Sequence, residues 1–328
     1  MELMADSGPP RMAISARVYG PGAALLLLLS HWLLFSGWEL AGRWFYLMAW
    51  WPYIFLVDWL VRLKKGDSLV TGRPREFLLL IPCSASLWLI FEGFNLRLGN
   101  WHYVDLVPDL ALRWPGYFFA FGTVLPGLFI TYQLLEACGL LKGCRIRPLK
   151  EPRLLYPLLV LLGGLGLVLP LAQPRYFFPL VWLAFTFLLE PVNYALGAPS
   201  LLRDWQRGDP RRLYLLLLAG FICGFLWEFW NFWAVSKWVY TVPLVGGLKV
   251  FEMPLLGFLG FPPFAVECYV MVNFLSLFRG GRTWEHPEGG SAIALRLPPW
   301  LGLLLCGAFC LLMFHLIDTH TVLNFLPR

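Results

Sequence analysis

The sequence predicts an all-helical integral membrane protein of about nine spans, and three observations carry that prediction. Of the 328 residues 59% are hydrophobic and only 14% are charged, and the mean hydropathy is +0.65, far from the composition of a soluble domain. The apolar runs are each about 20 residues long, enough to cross a hydrocarbon core of about 30 Å as helices. Lipid offers no partner to open backbone, so only helices or closed barrels can span it, and the short alternating segments of a barrel are not seen.

The spans are expected at 18–38, 43–63, 76–97, 116–136, 154–172, 176–197, 212–234, 254–277 and 298–317. Residues 1–17 carry Gly8, Pro9 and Pro10 without an apolar period, which predicts a flexible tail. Four spans form a first membrane repeat over 18–139, a basic cytoplasmic linker covers 140–153, and four spans form a second repeat over 154–278. A polar Gly/Pro loop over 279–297, expected to be mobile, leads to one extra helix in 298–328. An even number of crossings per repeat makes the repeats parallel, related by an axis near the membrane normal.

Of the 26 Lys and Arg, 19 fall on the side that holds residues 140–153 and 7 on the other. The N-terminus is therefore expected in the cytoplasm and the C-terminus in the periplasm. Compact loops without targeting signals suit a bacterial inner membrane. The formal charge of +6 lies in short loops beside the membrane and calls for no nucleic acid. The seven Cys avoid the outer loops and show no metal-type spacing, so no disulfide, metal or cofactor is expected.

The second repeat holds the stretch that organises the reading, Trp227 to Glu267. It places Glu228, Glu252 and Glu267 in or beside apolar sequence, where a carboxyl group is costly and marks function. About 136 residues earlier a weaker copy appears: Glu92, Asn95, Trp101, Tyr103 and Pro126 answer Glu228, Asn231, Trp238, Tyr240 and Pro262. Counting rise along each helix gives two tiers. Glu92 and Glu228 lie near the outer ends of their spans and Glu252 just before the span that begins at 254, while Asp58, Glu190 and Glu267 lie roughly 20 Å down from the outer starts of theirs.

Glu228 and Asn231 are three apart and share a helix face. A desolvated carboxyl held by an amide and walled by Trp227, Trp230 and Trp238 can protonate an alkene, and indole faces stabilise the resulting cation. The other meaning of the same residues is a hydrogen-bond clamp between helices, with Glu92 and Asn95 as its matching half. Pro262 and Pro263 inside a span would break the helix ladder and free carbonyls near Glu267. Gly257 and Gly260 suit close helix approach, or a flat slot for a prenyl chain.

The order Trp227-Glu228, then Trp238 and Tyr240, then Gly247, Pro254, Phe258 and Phe261 resembles the heterodimer-type lycopene cyclase domain of bacteria and archaea. Those proteins contain two related multi-span units and close rings on lycopene by acid chemistry without net redox change. Where that family carries an acidic pair after the proline, Leu255, Leu256 and Gly257 follow Pro254 here, and Glu252 precedes it. The resemblance implies an enzyme acting on a long isoprenoid or carotenoid. Glu228 would be the general acid, Asn231 its orienting partner, and Glu252 or Glu267 the group that takes the proton back. Tyr240, Phe258, Phe261, Glu92, Asn95 and Glu190 complete the substrate-contacting set. A proton-coupled transporter, with the acid tiers as relay stations, and an assembly or scaffold protein remain as alternatives. The expected partners are a membrane lipid or isoprenoid, with a homo-oligomer or a membrane partner left open.

Overall fold

The computed structural model describes residues 14–244, 247–289 and 297–325. The expected tail and the loop over 279–297 therefore lie partly outside the described residues. The first half comprises α1 (Ile14–Phe35), α2 (Glu39–Lys65), α3 (Leu69–Gly72), α4 (Pro74–Leu98), β1 (Trp101–Val104), α5 (Leu110–Phe121) and α6 (Val124–Ala137). The second comprises α7 (Tyr156–Ala172), α8 (Pro174–Phe177), α9 (Val181–Leu196), α10 (Leu201–Gln206), α11 (Arg211–Trp233), β2 (Lys237–Tyr240), β3 (Lys249–Val250), β4 (Met253–Pro254) and α12 (Phe261–Ser276). A final helix, α13 (Pro299–His320), follows.

Among the described residues, eight helical stretches are long and apolar enough to cross a membrane, and α1 is apolar over Tyr19–Phe35. The protein is an all-α, multi-pass membrane fold. Helix ends obey local rules. Gly66 and Gly99 terminate α2 and α4 with φ of 76° and 60°, a conformation that suits a residue without Cβ. The last turn of α2 carries Arg62, Lys64 and Lys65, matched to the negative end of the helix dipole.

α1 lies along α2 and α7 lies along α9, while α2, α6, α11 and α12 form the packed centre. Phe45, Trp50, Phe129 and Tyr269 are fully buried there. Leu158, Leu161 and Val168 on α7, and Leu303, Leu304 and Leu311 on α13, are exposed, as suits helices whose outer faces meet lipid.

Four expectations are corrected. The span expected at 116–136 is two helices, broken at Gly122 and Thr123 and beginning six residues earlier, at Leu110. Pro262 and Pro263 do not kink a span. They occupy the first turn of α12 after a 3-10 stretch over Leu255–Gly260, where a missing N–H costs no hydrogen bond. Close helix approach is made by Gly220 of α11, where a Cβ would stand 2.5 Å from the Phe261 carbonyl oxygen. Gly257 instead packs on Met253 of its own segment, and Gly260 has ordinary contacts with Trp182.

The described part of the 279–297 loop is docked, contrary to its polar composition. Trp284 is buried and stacks on Phe129 at 4.6 Å. Arg73 donates to its carbonyl at 2.7 Å, and the Tyr269 hydroxyl donates to Glu285 at 3.1 Å. Burying the indole against Phe129 removes a large apolar surface from water and so favours docking of the segment.

α13 is fastened by one carboxylate. Asp318 accepts from Arg113 Nε and Nη2 at 3.0 and 2.7 Å, from Trp114 Nε1 at 2.9 Å and from Tyr117 Oη at 2.8 Å. Replacing Asp318 by Ala leaves a buried guanidinium without its counter-charge, and such a break costs about 3–5 kcal/mol. Thermal unfolding of the solubilised protein is expected to show that loss, with Arg113→Ala/Asp318→Ala losing less than the two single variants combined.

Candidate functional site

The segments that follow α4 and α11 leave the helices as strands and pair with each other. β1 and β2 are antiparallel, with Trp101 opposite Tyr240, His102 opposite Val239 and Tyr103 opposite Trp238. A ladder with this register has a local two-fold axis at the His102–Val239 pair, which exchanges Trp101 with Trp238 and Tyr103 with Tyr240. Four aromatic side chains thus project from eight residues of backbone.

Asn95 and Asn231 hold the strands. Asn95 Nδ2 donates to the Trp101 carbonyl at 2.8 Å, and its Oδ1 accepts from the Asn100 and Trp101 amides. Asn231 Nδ2 donates to the Trp238 carbonyl at 2.8 Å, and its Oδ1 accepts from the Trp238 amide at 2.9 Å. Asn231 therefore does not orient Glu228: its amide pairs with both the N–H and the C=O of one strand residue, and both of its polar atoms are committed to Trp238.

Each ladder tyrosine meets a buried carboxyl group. Tyr103 Oη donates to Glu92 Oε1 at 2.6 Å, and Tyr240 Oη donates to Glu228 Oε1 at 2.7 Å. Glu92 Oε1 also accepts from Trp88 Nε1 at 2.8 Å and Trp101 Nε1 at 3.1 Å. On the other side the Trp238 indole donates to the Tyr240 oxygen at 2.8 Å. Glu92 and Glu228 are both 0% exposed, and the second oxygen of each lacks a hydrogen-bond partner. Burial raises the ionisation of both ladder tyrosines well above the usual phenol range, and the neighbouring carboxyl raises it further.

In front of the ladder lies a cavity of about 560 Å3, within the range of small-molecule sites. Trp101, Tyr103, Trp238 and Tyr240 form one wall; Trp182, Phe261 and Phe264 face it from other segments. Leu256 and Leu259 border it and are exposed on the outer surface. Its polar rim is neutralised pair by pair. Arg43 bonds Glu39 at 2.9 Å, Lys237 bonds Glu252 at 2.6 Å, and Arg113 bonds Asp318.

The expected site residues are thus divided. Trp227, Trp238, Tyr240 and Phe261 line the cavity. Glu92, Asn95, Glu228 and Asn231 stand behind its wall. Trp230 lies away from it, donating to His31 Nε2 at 3.1 Å, and Phe258 packs on Phe261 at 5.7 Å. Glu252 is held by Lys237, so it is not a free proton acceptor. Glu267 accepts from the Phe185 amide at 2.6 Å and ties α12 to α9.

The other two deep acids, Asp58 and Glu190, cap short helices. Asp58 accepts from Ser68 at 2.8 Å and from the Val70 amide at 3.0 Å. Glu190 accepts from Ser200 at 2.5 Å and from the Leu202 amide at 2.9 Å. In both cases the serine follows the acid by ten residues and the amide by twelve. A carboxyl at a helix N-terminus satisfies orphan N–H groups and meets the positive end of the dipole.

Tyr103, Trp88, Trp101, Tyr117, Trp182 and Phe264 are cavity residues that sequence reasoning missed. Trp88, four residues before Glu92 on one helix face, and the Trp101/Tyr103 pair, matching Trp238/Tyr240, carried a signal. Trp182 carried none.

Comparison with known proteins gives no match to any family model, curated protein or solved structure.

Loss of either asparagine should loosen the ladder. Asn231→Ala removes two hydrogen bonds worth about 1 kcal/mol each and leaves buried peptide groups unpaired, for a total of about 2–4 kcal/mol. Thermal unfolding should register that loss, and hydrogen exchange should show faster exchange at residues 237–240.

Proposed function

We propose that this chain is a membrane enzyme that protonates a double bond of a long apolar isoprenoid or carotenoid, leading to cyclisation, hydration or isomerisation. The observation that carries the proposal is the aromatic cavity whose wall contains two tyrosines, each backed by a buried carboxyl group. The recurrence of the acid–asparagine–tyrosine set in both halves, with the acid–serine–amide set behind it, supports descent of the halves from one unit. The resemblance of Trp227 to Phe261 to lycopene cyclase domains points to the same chemistry.

The geometry refines the roles. Glu228 reaches the cavity only through Tyr240, and a carboxylic acid and a phenol can exchange donor and acceptor roles across one contact. The proton passes from the Tyr240 oxygen to an alkene carbon, whose π pair forms the new C–H bond, while Glu228 supplies a proton to the phenol. The cation left on the adjacent carbon lies among the indoles of Trp101, Trp182 and Trp238. It is discharged by attack of a second double bond or of water, and then by loss of a proton. No electrons are gained or lost.

Glu92, reached through Tyr103, is the better acceptor for that proton than Glu252 or Glu267. Three donors converge on one oxygen of Glu92 and stabilise negative charge there, whereas one donor reaches Glu228. A relay through the deep acids finds less support, because Asp58 and Glu190 are engaged as helix caps and Glu267 is bonded to backbone.

The test compares lipid extracts, by chromatography with absorbance and mass detection, from cells with the gene, without it, and carrying Glu228→Gln or Tyr240→Phe. Product is expected to fall by about 10²–10⁴-fold in either variant, the usual contribution of a positioned acid. The product should differ from its precursor by no mass or by one water. Matching extracts from all strains would sink the proposal.

A further inference from the structure

Away from the aromatic cavity, a second, smaller recess lies between α10 and the docked segment 281–289. Its volume is about 230 Å3, several times the ~30 Å3 that one water molecule occupies in the liquid. Arg203, Arg207, Arg212, Asp204 and His286 line it, together with Ser200. This composition is the reverse of the first cavity's.

The recess has a net positive lining. Asp204 pairs with Arg212 at 3.0 Å, and burial pushes the Asp204 carboxyl above the usual carboxylate range. That pair leaves two guanidiniums over. Arg203 is fixed in place by its own surroundings: Nη1 donates to the Ala198 carbonyl at 2.8 Å and Nη2 to the Tyr194 carbonyl at 2.7 Å. Its guanidinium also lies 5.3 Å from the centre of the Tyr194 ring. Carbonyls and a ring face hold a guanidinium without cancelling its charge. Among the described residues neither Arg203 nor Arg207 forms an ion pair with a carboxylate.

A rigid cation, a second cation on an exposed side chain and an imidazole around one small recess match a tetrahedral oxyanion. Guanidinium forks recognise phosphate oxygens in pairs, and a pre-positioned fork loses little freedom on binding. The floor tolerates close approach, since Gly281 and Gly289 have φ of 74° and 86° and present no side chain.

We propose that this recess binds a phosphate group, borne either by an anionic lipid headgroup or by a soluble phosphorylated molecule. Basic pockets beside membrane helices on the positively charged side of a protein are suited to headgroups. The site is independent of the chemistry in the aromatic cavity.

The full-length protein is titrated with pyrophosphate in detergent. It is also reconstituted into phosphatidylcholine nanodiscs with and without phosphatidic acid, with lipid retention measured by native mass spectrometry. Arg207→Gln tests the recess, because Arg207 is exposed and its loss leaves the fold intact. Arg147→Gln, an exposed arginine outside the recess, controls for general surface charge.

Arg207→Gln is expected to weaken one of the two ligands by about tenfold, close to 1.4 kcal/mol, while Arg147→Gln changes neither. A loss confined to pyrophosphate identifies a soluble phosphate compound, and a loss confined to phosphatidic acid identifies a headgroup. The proposal is overturned if neither probe binds, if Arg207→Gln binds both as the unmodified protein does, or if Arg147→Gln weakens binding equally.

Discussion

Burying a carboxyl group in an apolar bundle is costly unless donors are brought to it, and that requirement organises this molecule. Glu92 and Glu228 draw the ladder tyrosines down onto the helix ends. Asp58 and Glu190 draw in the short helices α3 and α10. Asp318 gathers Arg113, Trp114 and Tyr117 and so fixes α13, and Glu267 joins α12 to α9. Four of these acids thus determine where segments without apolar runs of their own must lie, and the other two fix the placing of apolar helices. Leucine faces can slide against one another, whereas a carboxyl with named donors has one register.

Much of the fold was legible because the dominant signal, an apolar run of spanning length, is local. All nine expected spans correspond to helices, with eight meeting the length and apolarity of a crossing. What escaped depends on contacts between distant segments. Strands of four residues carry no period of their own, and β1 and β2 exist because Asn95, Asn231 and the opposite strand complete their hydrogen bonds. The break at Gly122–Thr123 is likewise tertiary: Ser84 Oγ donates to the Phe121 carbonyl at 2.6 Å and accepts from the Leu125 amide at 3.0 Å.

The candidate site was half legible for a related reason. Sequence marked the acids, since a carboxyl in apolar sequence is conspicuous, but it could not say which atom faces open space. Glu228 was expected to be in contact with substrate, yet Tyr240 stands between it and the cavity. Asn231 shares a helix face with Glu228, which pairs the two by spacing, but the N–H and C=O of Trp238, seven residues onward, offer its amide two complementary bonds. Spacing identified the participants, and the ladder assigned their partners.

The docked indole of Trp284 has a kinetic corollary. With Trp284 stacked on Phe129, and Tyr132 and Tyr269 packed nearby, the bundle is filled on the side away from the ladder, while exposed Leu256 and Leu259 border the cavity. Under the proposed function, a hydrophobic substrate would enter and leave sideways, by lateral diffusion from the surrounding lipid. Its encounter rate follows mole fraction among the surrounding lipids, not bulk molarity, so adding inert lipid would slow occupancy at constant total ligand.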